Sequence, residues 1–165
     1  MSILRIHWCN IMTIRYFACL VAIVYSISAH AADPKNAIGG KPASTASSTG
    51  RYYGRTGQYS GKVTGSGRVY DSAGRYSGSI KSNSSGTRLY SGNGAYAGST
   101  RNSGQTTRYY DSKGAYQGRS TTSGSTTRYY DSSGKYSGTA RSNGSTTRFY
   151  NGSGGYSGSR TGPKR

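Results

Sequence analysis

The sequence predicts an all-β protein built from six tandem antiparallel β-hairpin repeats. Three observations lead there. Columns of Tyr and Gly recur from residue 51 onwards, with a period of 20 residues between most copies. Turn-forming residues stand at fixed offsets inside each period. Beyond residue 31 no apolar pattern has the helical spacing of 3.6 residues.

The elements follow in chain order. Residues 1–31 read as a secretory signal peptide. Arg15 precedes an apolar run from Phe17 to Ile27, and Ala29-His30-Ala31 supplies small residues for cleavage. The run is too short to span a bilayer as a helix, which takes roughly 20 residues. Met12 would give a signal of more usual length, so the true start is a second reading there; an uncleaved N-terminal anchor is the competing one. Both Cys, Cys9 and Cys19, lie in this segment. Residues 32–50, small, polar and punctuated by Pro34, Gly39, Gly40 and Pro42, are expected to be a flexible linker.

Residues 51–160 are the repeat domain. Its first column is Arg51, Arg68, Arg88, Arg108, Arg128 and Arg148. An apolar or aromatic column follows at once: Tyr52, Val69, Leu89, Tyr109, Tyr129 and Phe149. Next stands an unbroken Tyr column from Tyr53 to Tyr150, and later a second one from Tyr59 to Tyr156 that includes Tyr116 and Tyr136. One Gly column runs from Gly57 to Gly154, and another closes each unit from Gly61 to Gly158. The first interval is 17 residues, between Arg51 and Arg68.

Each unit reads as two short strands and two turns. Thr-Thr-Arg-Tyr-Tyr at residues 126–130 is rich in β-formers. Asp131-Ser132-Ser133-Gly134 is turn chemistry, and Asn143-Gly144 supplies a second, hairpin-type turn. A lone hairpin is marginal in water. Six in series are therefore expected to stack as a solenoid, a twisted sheet or a small closed ring. The hairpin register stays open between a Tyr129–Tyr136 and a Tyr130–Tyr136 pair. With so few aliphatic residues, the Tyr columns are expected to supply the burial, and serine at Tyr116 and Tyr136 to unfold the repeats. The alternative is a largely disordered Gly/Ser/Tyr-rich chain, since low hydrophobicity and high net charge favour disorder. Residues 161–165 form a basic tail ending Lys164-Arg165.

The unit Arg128-Tyr129-Tyr130-Asp131-Ser132-Ser133-Gly134-Lys135-Tyr136 resembles the YD repeat of RHS-type proteins, with Tyr-Asp, a following Gly and a basic residue. It also resembles, more loosely, the aromatic hairpin repeats of bacterial cell-wall-binding modules. Both resemblances cover residues 51–158. They imply a surface β-repeat that binds carbohydrate or wall polymer. Asp is replaced by Gly54, Ser91 and Asn151 in three copies, and the Trp of the wall-binding modules is missing.

The residue inventory narrows the chemistry. After residue 31 the chain has no His, Cys or Glu. Ser–His or Cys–His catalysis and transition-metal ligation are therefore not expected, and neither is a cofactor. Asp111 and Asp131 sit at equivalent turn positions, one repeat apart, and are read as turn caps rather than a catalytic pair. The net charge of +18 points instead to an anionic partner.

The expected function is that of an exported, non-enzymatic repeat protein, periplasmic, cell-surface or secreted. It would bind an anionic polysaccharide, lipopolysaccharide or another polyanion, with nucleic acid entering only as an extracellular polyanion. The candidate ligand-binding residues are Arg68, Arg88, Arg108, Arg128, Arg148, Tyr116 and Tyr136. The alternative is a structural or self-assembling surface protein whose Tyr ladders are cohesive and whose Arg residues serve solubility.

Overall fold

In a computed structural model, which describes residues 49–162, the repeats form twelve antiparallel strands: β1 (Gly50–Gly54), β2 (Tyr59–Val63), β3 (Arg68–Asp71), β4 (Tyr76–Asn83), β5 (Gly86–Ser91), β6 (Tyr96–Ser103), β7 (Thr106–Asp111), β8 (Tyr116–Ser123), β9 (Thr126–Asp131), β10 (Tyr136–Asn143), β11 (Thr146–Asn151) and β12 (Tyr156–Thr161). Each strand pairs with its neighbours in sequence, and β12 returns to pair with β1, so the sheet closes into a barrel. Of the three expected arrangements the closed one is found. The repeats neither stack into an open solenoid nor end in a twisted sheet, and over these residues the reading as a disordered chain gives way to a continuous ladder. The signal peptide, most of the linker and the last residues of the tail lie outside the described residues. Two boundaries shift: Gly50 opens β1 rather than ending the linker, and Thr161 closes β12 rather than starting the tail.

The turns at the two rims differ in chemistry. At one rim, odd strands turn into even ones through the Asp-x-x-Gly segments. Asp131 Oδ1 accepts from the Ser133 and Lys135 N–H groups, at 2.9 and 3.0 Å. Asp71, Asp111 and Asn151 make the same two bonds in their own turns. Gly134 follows with φ 84°, a left-handed conformation that Gly adopts without a Cβ penalty. Asp111 and Asp131 thus cap turns as expected. At the other rim, tight turns such as Asn143–Thr146 join even strands to odd ones. The short first interval falls here: β2 and β3 are truncated, and Thr64–Gly67 makes the turn, with Gly67 N–H donating to the Thr64 carbonyl at 2.9 Å.

A bulge in every repeat decides which side chains face inward. Tyr136 pairs with Tyr130 but Gly138 pairs with Tyr129, leaving Ser137 as an extra residue. Without it, Tyr136 and Gly138, two residues apart, would share a face. With it, Tyr136 turns outward beside Tyr130, while Gly138 lies inside across from buried Tyr129. Gly138 has φ 155°, and a Cβ there would sit 2.4 Å from the Tyr150 carbonyl oxygen of the next repeat. The closing Gly column therefore allows successive hairpins to approach at the bulge.

The barrel interior is lined by Tyr52, Val69, Leu89, Tyr109 and Tyr129, with Phe149 less deeply placed, and on even strands by Val63, Ile80 and Ala140. The remaining inward positions are mostly hydroxylic. Thr100 and Ser120 are each only 3% exposed. Their polar atoms are satisfied locally, since a buried hydroxyl without a partner is costly. Tyr109 Oη and Ser120 Oγ share a hydrogen bond of 2.7 Å, and Thr122–Thr127 and Ser142–Thr147 hydroxyl pairs lie at 3.0 Å across adjacent strands. A chain with few aliphatic residues thus holds together through strand closure, inward aromatics and hydroxyl pairs.

Candidate functional site

The outer wall carries the candidate site, and strand alternation builds it. Because Thr127 and Tyr129 point inward, Arg128 between them points outward, and the same parity applies to Arg51, Arg68, Arg88, Arg108 and Arg148. All six of this column are exposed on odd strands. The structure brings Arg68, Arg88, Arg108, Arg128 and Arg148 onto one surface, but that surface curves round a barrel instead of running along a straight stack.

The even strands contribute a second set that the column reading missed. Lys62, Lys81, Arg101, Arg119 and Arg141 stand on β2, β4, β6, β8 and β10, also pointing outward. Parity identifies them once the bulge of each repeat is placed. Each lies one or three residues after an inward Gly, as in Gly118-Arg119 and Gly138-Thr139-Ala140-Arg141, and an odd offset from an inward residue faces out. The result is a belt with one outward cation on every strand from β1 to β11. The belt is interrupted at β12, where Arg160 points inward and occupies the position of Val63, Ile80, Thr100, Ser120 and Ala140 in the other repeats.

Several of these cations face like charge. Arg51 is the cross-strand partner of Lys62, Lys81 of Arg88, and Arg141 of Arg148. Arg108 is flanked by Arg101 on one side and Arg119 on the other. Directly opposed like charges destabilise a sheet. The described carboxylates, Asp71, Asp111 and Asp131, sit in turns at the rim away from these pairs. The only ion pair among the described residues is Arg75–Asp71 at 2.9 Å, in such a turn.

Aromatic rings lie next to the cations. In each hairpin the two outward Tyr residues make an edge-to-face pair with centroids 6.0–6.1 Å apart, among them Tyr110–Tyr116 and Tyr130–Tyr136. Lys62, Lys81, Arg101, Arg119 and Arg141 then sit over the rings of Tyr70, Tyr90, Tyr110, Tyr130 and Tyr150 at 5.1–5.6 Å. Such contacts hold a cation against the wall without neutralising it. Tyr116 and Tyr136, both expected in the site, are the more exposed member of their pairs, at 39% and 41%. Of the two registers left open, the Tyr130–Tyr136 pairing is found.

The wall also has a concavity. A groove of about 380 Å³ over β4–β6 is lined by Lys81, Arg88, Arg101, Tyr90, Tyr96 and Ser99 together with Asn83 and Ser85 near the rim. Chemically this arrangement offers charge, aromatic faces and neutral hydrogen-bonding groups on one surface. No protein-family model, curated protein or solved structure matches this chain.

Proposed function

We propose that the barrel is a non-enzymatic binding module for an anionic polymer, acting after export at the cell envelope or outside the cell. The observation that carries this is the row of like charges opposed across strands with no carboxylate among them. A surface whose Arg residues served only solubility would gain from interleaved acids, which weaken repulsion at no loss of polarity. Here the repulsion is left for an external anion to relieve, and successive strands, about 4.8 Å apart, present cations in series to a chain of charges.

Two features bear on competing readings. Closure leaves no unpaired edge among the described strands, which removes the usual route to β-mediated self-assembly. An outer wall of Arg and Lys is also unsuited to acyl chains, where each cation near the midplane costs roughly 2–4 kcal/mol. Export rests on the apolar segment and small residues of 17–31.

The test is binding to immobilised heparin over a salt series. Binding that falls steeply and log-linearly with salt is expected. Replacing Arg108, Arg128 and Arg148 by Gln should lower the slope by roughly 0.7–0.9 per removed contact if counterion release follows its nucleic-acid pattern. An equal removal of charge away from the belt, Arg55→Gln with Lys113→Gln and Lys135→Gln, should change it much less. Equal effects of the two triple variants would reduce the belt to a general net-charge effect and sink the proposal.

A further inference from the structure

We infer that the arc of the outer wall over β4–β8 is the principal subsite, and that its ligand is an acidic glycan, a sugar chain carrying carboxylates at regular intervals. This rests on the polyanion reading above and goes further by placing the site and naming the chemistry.

The location comes from register. Lys81 pairs with Arg88, and Arg101, Arg108 and Arg119 are direct cross-strand neighbours in one row. Arg88 faces Ser99 on β6, with Arg101 two residues further along that strand, so β4–β8 join an opposed pair and a row of three within about four strand spacings, roughly 19 Å. No other three successive strands hold cations as direct partners: the Arg51–Lys62 and Arg141–Arg148 pairs are not extended, Arg128 is flanked by Thr121 and Thr139, and β12 contributes no outward cation. The groove of about 380 Å³ opens within this arc, between Lys81, Arg88 and Arg101. Its volume falls in the range of small-ligand clefts, about 300–1,000 Å³.

The ligand class comes from what stands beside the cations. Lys81 Nζ covers one face of Tyr90 at 5.1 Å, and Tyr96 packs against that ring at 71° while remaining 41% exposed. Tyr96 is therefore available as a platform for a flat, partly apolar ring. Ser99, Asn83 and Ser85 add neutral donors and acceptors to the groove lining. A polyphosphate would use the cations alone. A duplex is too stiff to follow a curved wall, with a persistence length of about 150 base pairs. A pyranose chain bearing carboxylates uses all three components: C–H faces on Tyr96, hydroxyls on Ser99 and Asn83, carboxylates on Arg88 and Arg101. One strand spacing is also close to the length of one sugar ring. Single-stranded DNA is the competing polymer, because its bases can stack on the same platform.

The test is calorimetric titration of the intact protein at low salt with a hexameric oligogalacturonate and with a single-stranded oligothymidylate of equal charge. The proteins compared are the wild type, Arg88→Gln/Arg101→Gln/Arg108→Gln in the arc, Arg51→Gln/Lys62→Gln/Arg148→Gln near the seam, and Tyr96→Ala. All these positions are on the outer wall, and circular dichroism verifies that each variant keeps its β-signal. The arc variant should bind the uronate at least about tenfold more weakly than wild type; the seam variant, which also removes belt cations, should lose affinity too, but at least about threefold less than the arc variant, with Tyr96→Ala weakened about three- to tenfold. Equal losses in the two triple variants would overturn the location and leave the polyanion reading standing. Tighter binding of the oligothymidylate, or no effect of Tyr96→Ala on the uronate, would overturn the glycan. A wild type that binds heparin but not the uronate would also reject the glycan, whereas binding to none of these polymers would reject the polyanion reading itself.

Discussion

Arg101 and Arg108 are cross-strand partners on the outer faces of β6 and β7, and Arg119 stands on the other side of Arg108. Three guanidiniums in one row repel one another at low ionic strength. At about 0.1 M salt the screening length is about 10 Å, comparable to the span of the row. The barrel should therefore gain stability as salt rises, the reverse of a fold held by surface ion pairs. Thermal unfolding followed at increasing sodium chloride should give a rising midpoint, and Arg108→Gln should both raise the low-salt midpoint and flatten the salt dependence. A midpoint that falls with salt would show that the row is not repulsive.

Two Gly columns look alike in sequence and differ in what they tolerate. Gly138 has φ 155° and no room for a Cβ, which would meet the Tyr150 carbonyl oxygen at 2.4 Å. Gly134 has φ 84° and nothing within 4 Å of where a Cβ would stand. Gly138→Ala should cost about 3 kcal/mol or more, because backbone at the bulge must move. Gly134→Ala should cost about 1–2 kcal/mol, the left-handed penalty alone, and Gly134→Asn less. Chemical denaturation of the three variants measures the difference.

The two Tyr columns also separate. Tyr129 is 7% exposed inside the barrel, whereas Tyr136 is 41% exposed on the wall. Tyr129→Ala should destabilise by about 3–5 kcal/mol, as for other buried aromatics. Tyr136→Ala loses its edge-to-face contact with Tyr130, about 0.5–1.5 kcal/mol beyond the area the half-exposed ring covers, and should cost less than Tyr129→Ala. The expectation that serine at Tyr116 and Tyr136 unfolds the repeats therefore moves to Tyr109 and Tyr129. Urea midpoints for the single variants decide it.

How much was legible follows from these cases. The hairpin units, both turn types and the outward Arg column can be read from residue type and spacing, because turn chemistry and strand alternation act over a few residues. Two things could not be read. The bulge at Ser137 reverses the face of Tyr136 relative to Gly138, and nothing in Tyr-Ser-Gly marks the extra residue until Gly138 is seen against the Tyr150 carbonyl. Closure depends on how β1 and β12 meet after twelve strands have accumulated their twist, a property of the whole ring. The even-strand cations were readable once the bulge was placed, since Lys81 and Arg119 then fall at odd offsets from an inward Gly.

Acid should loosen the capped turns. The Arg75 N–H bond to Asp71, reinforced by the Arg75 side chain, holds that carboxyl below its ordinary 3.8 despite partial desolvation. The Ser133 hydroxyl, together with the Lys135 and Ser133 N–H groups, does the same for Asp131. Both groups bind protons less readily folded than unfolded, so their contribution is complete above the ordinary carboxylate range. It is lost as pH falls through 3.8 and on through the lower folded values. Unfolding midpoints measured from pH 6 to pH 2 should fall over that window, and Asp71→Asn with Asp131→Asn should flatten the fall. Asn151, which already caps its turn as an amide, shows that the variant can keep both backbone bonds.

Arg160 provides the last prediction. It sits on β12 between Tyr52 and Thr147 as cross-strand partners, pointing into the barrel where its counterparts are Thr100, Ser120 and Ala140. Its Nε is buried without a hydrogen-bond partner and lies 2.6 Å from where a Cβ on Gly50 would stand. A buried guanidinium nitrogen left unpaired costs about 1–3 kcal/mol. Against that, its aliphatic stem covers apolar surface, which a smaller residue would give up. The polar cost outweighs that loss, because Thr is already accommodated at Thr100, 3% exposed and accepting the Thr87 N–H at 3.1 Å. Arg160→Thr should therefore raise the unfolding midpoint, and Gly50→Ala should lower it in the wild type but not in the Arg160→Thr background. A double-mutant cycle on the two positions measures that coupling, and a zero coupling energy would place the guanidinium elsewhere than against Gly50.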